Sequence, residues 1–263
     1  MQAFVNTAVD AARKAGNIII RQFGQLDRIK VQTKARNEFV THVDQQAEDA
    51  IIETIRQRYP DHSFLGEENG NIEGADKDHV WIIDPLDGTT NFIHGFPVFC
   101  VSIALQIKGR LSAAVIYDPT RDELFTAARG EGAVLDGRRI RVSKQRELQG
   151  SLIATGFPYR SSANYLDTYL KMFTGVMGVA AGVRRPGAAA LDLAYVAAGR
   201  VDGFWEFGLK PWDIAAGVLL IREAGGIVSP IYDGDDYMES GNLMAGTPKV
   251  HDELKALLNT HTK

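Results

Sequence analysis

Two aspartates three residues apart, Asp84 and Asp87, stand in the run Trp81-Ile82-Ile83-Asp84-Pro85-Leu86-Asp87-Gly88-Thr89-Thr90-Asn91-Phe92. Val80 to Ile83 is apolar or aromatic and predicts the end of a buried strand. Pro85 fixes φ and brings no N–H, so a simple continuation of that strand is not expected. Asp87-Gly88 is a turn signal, and Thr89, Thr90 and Asn91 are residue types that open helices. The sequence therefore predicts a tight strand-to-helix turn carrying two carboxylates. The N–H groups of Gly88 and Thr89 would sit there at a helix start, where an anion binds. Carboxylates and an anion share one space comfortably only with a cation between them.

Two further acidic positions lie where strands or loops meet helices: Glu67 in Gly66-Glu67-Glu68, and Asp213 after Pro211-Trp212. Alone, Asp213 is an acid in a helix's first turn, favoured by the dipole, and Glu67 is a solvated loop residue. If all four converge, each pair about 4 Å apart repels by roughly 4 kcal/mol at an effective dielectric near 20. Hard cations remove that conflict. All-oxygen ligation with no His or Cys cluster nearby selects Mg²⁺ or Mn²⁺ over Zn²⁺. Mg²⁺ keeps waters and takes substrate phosphate oxygens, so the expected substrate is a phosphate ester. Paired metals would activate a water on one side and stabilise the leaving alkoxide on the other. A rival chemistry is an aspartyl-phosphate formed on an Asp at a strand end. Phosphatases of that type separate their two aspartates by one residue, whereas Pro85 and Leu86 intervene here. Walker A and Gly-x-Ser-x-Gly patterns are absent, which argues against P-loop nucleotide hydrolysis and acyl transfer.

The elements that must position these groups follow from periodicity. Residues 2–23 predict a helix with Phe4, Ala8, Ala11, Ala15, Ile18 and Ile19 on one face, stopped at Gly24. Thr41 to Asp44 opens a second helix with a capping-box pattern, burying Ala47, Ile51, Ile55 and Tyr59. Ser63–Leu65 is a short strand, and residues 71–79 read as a surface loop. Val98–Lys108 and Leu111–Tyr117 form a hairpin, continued by Glu123–Ala128, Ala133–Leu135 and Arg139–Val142, which implies an antiparallel sheet. Beyond residues 143–150, strand and helix alternate. Strands are expected at Leu152–Thr155, Val201–Phe207, Gly226–Ser229 and Leu243–Ala245, with helices at Tyr165–Met177, Ala188–Ala198, Pro211–Ala224 and Pro248–Leu258. That pattern is an α/β half with a mixed or parallel sheet. Two subdomains, residues 1–145 with most of the acidic ligands and 146–263 supplying Asp213, would share a cleft as one unit.

The chain of 263 residues is 45% hydrophobic and 24% charged, ordinary for a soluble globular protein with a sizeable core. Its net charge of −4 gives no global attraction for nucleic acid or anionic membrane. Arg13 and Lys14 interrupt Phe4–Ile20, so neither a signal peptide nor a membrane span is expected. The single cysteine, Cys100, lies in an apolar run and reads as a buried structural thiol in a reducing cytoplasm.

Asp84 to Phe92 resembles the first signature of the inositol monophosphatase family. Trp212-Asp213-Ile214-Ala215-Ala216-Gly217, with Glu223-Ala224-Gly225-Gly226, resembles its second, and Gly66-Glu67-Glu68 its upstream metal-binding loop. Order and separation also fit, so the resemblance spans nearly the whole chain. Arg184 to Gly187 through Ala190–Ala194, then Gly199–Gly203, is most similar to the bacterial branch.

The resemblance implies a layered αβαβα sandwich and a Mg²⁺-dependent phosphomonoesterase. Its substrate would be inositol 1-phosphate, a small phosphorylated polyol, hydrolysed by in-line attack of metal-activated water, with a related sugar or nucleotide phosphate as the alternative the wider superfamily implies. Two to three Mg²⁺ are implied, with Mn²⁺ as a substitute, and sensitivity to lithium. Glu67, Asp84 and the Leu86 carbonyl would hold one ion, and Asp84, Asp87 and Asp213 a second. Thr89, backed by Asp44, would orient the attacking water. Leu86, Asp87, Gly88, Thr89 and Asp213 would also meet the phosphate side of the substrate. Gly187, Ala188 and Ala189 would line the ring, Glu206 would contact an inositol hydroxyl, and Arg184 would be a substrate-side or interface cation. Some members carry a hydroxyl residue where Ala188 stands, so one polar contact to the ring is missing here. A homodimer is implied, with Leu152–Tyr159 and Met172–Val183 as apolar stretches able to supply its surface. Bacterial relatives also imply transcription antitermination and ribosomal RNA maturation with Nus factors, RNA polymerase or RNA. The local basic run Arg138, Arg139, Arg141, Lys144 and Arg146 is compatible with that, though its plain reading is a solvated edge strand.

Overall fold

The computed structural model describes residues 1–26, 31–35, 38–158 and 165–260. The chain opens with α1 (Gln2–Phe23), then a hairpin of β1 (Val31–Ala35) and β2 (Glu38–Thr41) that the residue pattern does not predict. Helix α2 (His42–Arg56) follows at once. Thr41 Oγ1 accepts from Val43 N at 3.1 Å while Asp44 Oδ2 accepts from Thr41 N at 2.8 Å, the capping arrangement expected. Next come β3 (His62–Gly66), β4 (Gly70–Ile72), β5 (Asp76–Asp87), the short α3 (Thr89–Ile93) and β6 (Cys100–Ile107). The run continues with β7 (Arg110–Asp118), β8 (Glu123–Ala128), β9 (Gly132–Leu135) and β10 (Arg138–Arg139). These strands build one sheet in the order β10-β9-β8-β7-β6-β5-β3-β4.

Two expectations are corrected here. Residues 71–79 are not a loop: they contain the end of β4 and the start of β5, and are polar because this part of the sheet is largely exposed. The sheet is also not wholly antiparallel, since β3 and β5 run parallel, with Gly66 opposite Ile83. The basic segment forms a strand only at Arg138–Arg139, on the sheet's edge.

The second half contains β11 (Leu152–Thr155), α4 (Leu166–Met177), β12 (Gly182–Arg184), α5 (Ala189–Ala197), β13 (Gly203–Glu206) and α6 (Pro211–Glu223). It closes with β14 (Ile227–Pro230), α7 (Tyr237–Ser240), β15 (Leu243–Gly246) and α8 (Pro248–Asn259). Strand β12 and helix α7 are additions to the predicted pattern. The sheet order is β12-β11-β13-β15-β14, with β11 parallel to both neighbours and the β13-β15-β14 pairs antiparallel, a mixed sheet as expected. Tyr159 lies outside the described residues.

Three apolar clusters stack these parts into five layers. Ala8, Ala15 and Ile19 of α1 and Ala47, Ile51 and Ile55 of α2 pack on one face of the larger sheet, against Trp81, Ile83, Val101 and Ile103. Its opposite face, carrying Ile82, Ala104, Ala114 and Ile116, meets α5 and α6, whose far side meets Ala154, Phe204 and Ala245 of the smaller sheet. Ile153, Trp205 and Met244 face outward onto Tyr169 and Met172 of α4 and Leu254 and Leu258 of α8. The result is αβαβα. Helix α6 lies between two sheets, which is why Ile214 to Ile221 is buried on every side rather than along one stripe.

Candidate active site

Strand alternation brings the two central aspartates to one face. Along β5, Trp81 and Ile83 point toward α1 and α2, so Ile82 and then Asp84 point toward α5 and α6. Unbroken alternation would send Asp87 the other way. A bulge intervenes: Asp84 pairs with Ser102 but Asp87 pairs with Cys100, so three steps on β5 match two on β6. The extra residue restores the face, and Asp84 and Asp87 both look toward α6. Pro85 sits in the bulge, where no ladder N–H is required. The predicted strand-to-helix turn is thus corrected: both aspartates belong to the strand, and the turn is Gly88 alone, at φ 98°. Gly88, not a threonine or Asn91, caps α3, which has only five residues.

From the other side, Asp213 enters in the first turn of α6, after Pro211 at its start. Ser102 Oγ donates to the Trp212 carbonyl at 3.1 Å, fixing this helix end against β6. One carboxylate oxygen from each of Asp84, Asp87 and Asp213 lies within 4.8 Å of the others, and all three residues are buried. Each carboxylate is aimed by an amide. Leu86 N donates to Asp84 Oδ1 at 2.9 Å, Ala190 N to Asp87 Oδ2 at 2.7 Å, and Lys210 N to Asp213 Oδ2 at 2.8 Å. A buried, all-oxygen donor set of three formal negative charges fits a hard divalent cation. Glu67 is not in this tight group. Its backbone is adjacent, because Glu67 N donates to the Ile83 carbonyl at 3.2 Å, one residue before Asp84.

Thr89 and Asp44 are in contact. Thr89 Oγ1 lies 3.1 Å from Asp44 Oδ1 and 3.1 Å from the Leu86 carbonyl, so its single proton points to one of these acceptors. Its lone pairs can then accept from a water. Burial holds the Asp44 carboxyl above its ordinary value, while hydrogen bonds from Thr41, Thr89 and its own amide pull the other way. Asp44 is thus both helix cap and partner of Thr89.

Asn91 Nδ2 lies 2.7 Å from the Val98 carbonyl and 2.9 Å from that of Pro186, tying the first half to the Gly187–Ala189 segment. Gly187 adopts φ 93°, and Ala188 and Ala189 are buried beside the start of α5. Glu206 ends β13 half-buried, with its carboxylate against Gly156, where a Cβ would come within 2.0 Å of Oε1. Asp192, buried in α5's first turn, is held well above the ordinary carboxyl range by desolvation and then by the charges of Glu206 and Asp87. Arg184 is exposed and donates to the Val183 carbonyl at 3.2 Å. The guanidinium whose charge reaches Asp192 is that of Arg185, which lies over the Phe157 ring at 5.2 Å. Cys100 is buried beside Asp87, and desolvation with the neighbouring carboxylates raises its thiol far up, so it is inert as expected.

Glu48 and Asp192 escape a motif-based reading. A signal existed for Glu48, an acid in the otherwise apolar stripe Ala47, Ile51, Ile55 of α2. A second group with metal-ligand atoms, His62, Asp76 and His79, is built differently. The two imidazoles stack at 4.5 Å and 15°, so their in-plane lone pairs run side by side rather than converging, and His62 Nδ1 already accepts from Trp81 Nε1 at 3.0 Å.

Comparison with known proteins agrees with this architecture. The inositol monophosphatase family profile matches residues 1–263, and the chain belongs to that family. It is 55% identical over 258 residues to Nus factor SuhB of Escherichia coli (strain K12), covering 98% of this chain and 95% of that protein. Among solved structures it resembles the extragenic suppressor protein suhB from Bartonella henselae, with TM-score 0.94 and 46% identity over 97% of this chain and 98% of that one. It also resembles the inositol monophosphatase from Anabaena (Nostoc) sp. PCC 7120, with TM-score 0.84 and 41% identity over 98% and 96%.

Proposed function

We propose that this protein is a Mg²⁺-dependent phosphomonoesterase acting on inositol 1-phosphate. The observation that carries the reading is the buried convergence of Asp84 and Asp87 from β5 and Asp213 from α6 on one space. Asp84, Asp87 and Asp213 would hold one Mg²⁺, and Glu67, Asp84 and the Leu86 carbonyl another. Ions bound there supply charge neutralisation for the ester and acidify the attacking water. The chain's own residues do the rest. Asp44 takes the Thr89 hydroxyl proton in a hydrogen bond, which leaves Thr89 Oγ to accept from the water and hold it in line with the phosphorus. The Gly88 and Thr89 amides bind phosphate oxygens. Gly187, Ala188 and Ala189 line the polyol, and Glu206 accepts from one of its hydroxyls. The test is phosphate release from inositol 1-phosphate with Mg²⁺ and with EDTA. Wild type should release phosphate only with Mg²⁺, and Asp87→Asn should lose at least about a hundredfold. No release from wild type on this ester or on other sugar and nucleotide monophosphates would end the reading.

A second role is supported by the 55% identity to Nus factor SuhB. Arg138, Arg139, Arg141, Lys144 and Arg146 are all exposed at and beyond the β10 edge, a basic strip suited to RNA or to an acidic face of the transcription machinery. The exposed apolar residues Leu166, Leu170, Met177 and Val179 on and after α4 suit a homodimer contact. Both roles place the protein in the cytoplasm; among the described residues no helix is long and apolar enough to cross a membrane. Capture of RNA polymerase by Asp87→Asn but not by a charge-reversed Arg139/Arg141/Lys144 variant would separate the two functions. Capture by both would remove the basic strip from the account.

A further inference from the structure

Glu48 lies on α2 one helical turn after Asp44, with none of its surface exposed. Its carboxylate spans two successive amides of the loop after β3: Oε2 accepts from Glu68 N at 3.0 Å and Oε1 from Asn69 N at 2.8 Å. Gly66 lies against the same group, since a Cβ there would stand 2.4 Å from Oε1 and 2.6 Å from Cδ. At the exposed rim, Asp49 Oδ1 accepts from Asn69 Nδ2 at 3.2 Å. Glu67 is therefore bracketed. Its own amide is fixed on the Ile83 carbonyl, the residue before it gives way to the Glu48 carboxylate, and the two residues after it are bound by that carboxylate.

We propose that Glu48 is a positioning residue for Glu67. By anchoring the 67–69 loop from beneath, it presents the Glu67 carboxylate to the cation site beside Asp84 before any ion arrives. Helix α2 then serves the site twice, through Asp44 to Thr89 and, four residues on, through Glu48 to the Glu67 loop. The proposal rests on the cation-site reading given above. A carboxylate suits this place because it accepts with both oxygens, Oε2 from Glu68 N and Oε1 from Asn69 N. A glutamine accepts with one and turns an NH₂ toward a second N–H donor.

The test compares wild type, Glu48→Gln, Glu67→Gln and the double variant, with Mn²⁺ as the probe and free Mn²⁺ read by electron paramagnetic resonance. Glu48→Gln should weaken Mn²⁺ binding by about tenfold to a hundredfold, as supporting residues of metal ligands do. The double variant should bind no more than about twofold more weakly than Glu67→Gln alone, because Glu48 acts through Glu67. A general loss of fold would not reproduce that pattern. In metal-free protein the amides of Glu68 and Asn69 should exchange with solvent at least about tenfold faster in Glu48→Gln, while those of β5 keep their protection. Gly66→Ala, which displaces the same carboxylate, should reproduce both effects. Unchanged affinity in Glu48→Gln, losses that multiply in the double variant, or unchanged exchange at residues 68 and 69 would overturn the positioning role while leaving the cation site standing. Failure of wild type to bind Mn²⁺ would remove both.

Discussion

Asp87→Asn should make the cation-free protein more stable and the cation-loaded protein less so. Asp87 contributes an oxygen within 4.8 Å of one from Asp84 and one from Asp213. At that separation and an effective dielectric near 20, each ionised pair repels by ~3.5 kcal/mol, so Asp87 is involved in ~7 kcal/mol before anything relaxes. Proton uptake limits that cost. Neutralising one ordinary carboxyl at pH 7 takes about three pKa units, or ~4 kcal/mol, so the part of the strain that Asp87 adds need never exceed this. An asparagine keeps the acceptor that Ala190 N uses at 2.7 Å, so the substitution removes charge with little loss of packing. The gain in EDTA should fall between ~1 and ~4 kcal/mol, a rise in Tm of roughly 2–8 °C at ~2 °C per kcal/mol for a chain of this length. With millimolar Mg²⁺ the order should reverse, since wild type gains binding energy that the variant lacks. Differential scanning fluorimetry in EDTA and in Mg²⁺ reads both arms. A variant less stable than wild type in EDTA, or a wild-type Tm indifferent to Mg²⁺, would show that the three carboxylates do not repel as a cation site must.

Further predictions concern the hydroxyl dyad, pH and the joint between the two halves. Thr89→Ala should lower kcat by about a hundredfold with KM little changed, and Thr89→Ser should retain most activity, as single-turnover and steady-state phosphate release will show. Because burial raises the Asp44 carboxyl, the acid limb of kcat should lie above the ordinary carboxylate range, and Asp44→Asn should lower kcat and remove that limb. His62 is held below its ordinary value, chiefly by burial and then by the charge of His79, and its Nδ1 accepts from Trp81. The neutral form is the folded form, so this contribution to stability is whole above the ordinary histidine pKa and is lost as pH falls through the depressed value. Tm should drop between pH 7.5 and pH 5, and His62→Asn, whose Oδ1 keeps an acceptor for Trp81, should drop less. A full slope in that variant would acquit His62; His251, also lowered by burial, supplies the remainder. Asn91→Ala should cost about 1–3 kcal/mol in urea unfolding, since the Val98 and Pro186 carbonyls lose their shared donor.

Some of the site was legible because it depends on local chemistry. Thr41 and Asp44 declare their helix cap by spacing alone, and the structure forms it. Pro211 opens α6 with Asp213 two residues behind it, as a first-turn acid should be placed. The Asp84–Asp87 pair was visible as an unusual strand end, but its local form was not. A bulge is a relation between two strands, and nothing within β5 states that its last steps will be matched by fewer steps of β6. The loop expected at 71–79 failed for a related reason: polar residues say that a segment is wet, and an exposed strand paired beside β3 is equally wet. Arg184 and Arg185 are adjacent in sequence, alike in chemistry and both exposed, and only the path of the chain leaving β12 decides that it is the charge of Arg185 that reaches Asp192.

The amino-acid sequence by itself determined which groups exist to do chemistry, the helices and strands that carry them, and the family to which the chain belongs, because residue type, periodicity and spacing are properties of short stretches. Only the tertiary structure decided that Asp213, in the first turn of α6, meets Asp84 and Asp87 of β5, and that Ala190 N, from the other half of the chain, aims Asp87. It also decided that a buried glutamate on α2 lies beneath the Glu67 loop. Those contacts join residues from 20 to more than 100 positions apart. They follow from how the sheets and helices stack, and that depends on burying all the apolar faces at once rather than on any one segment.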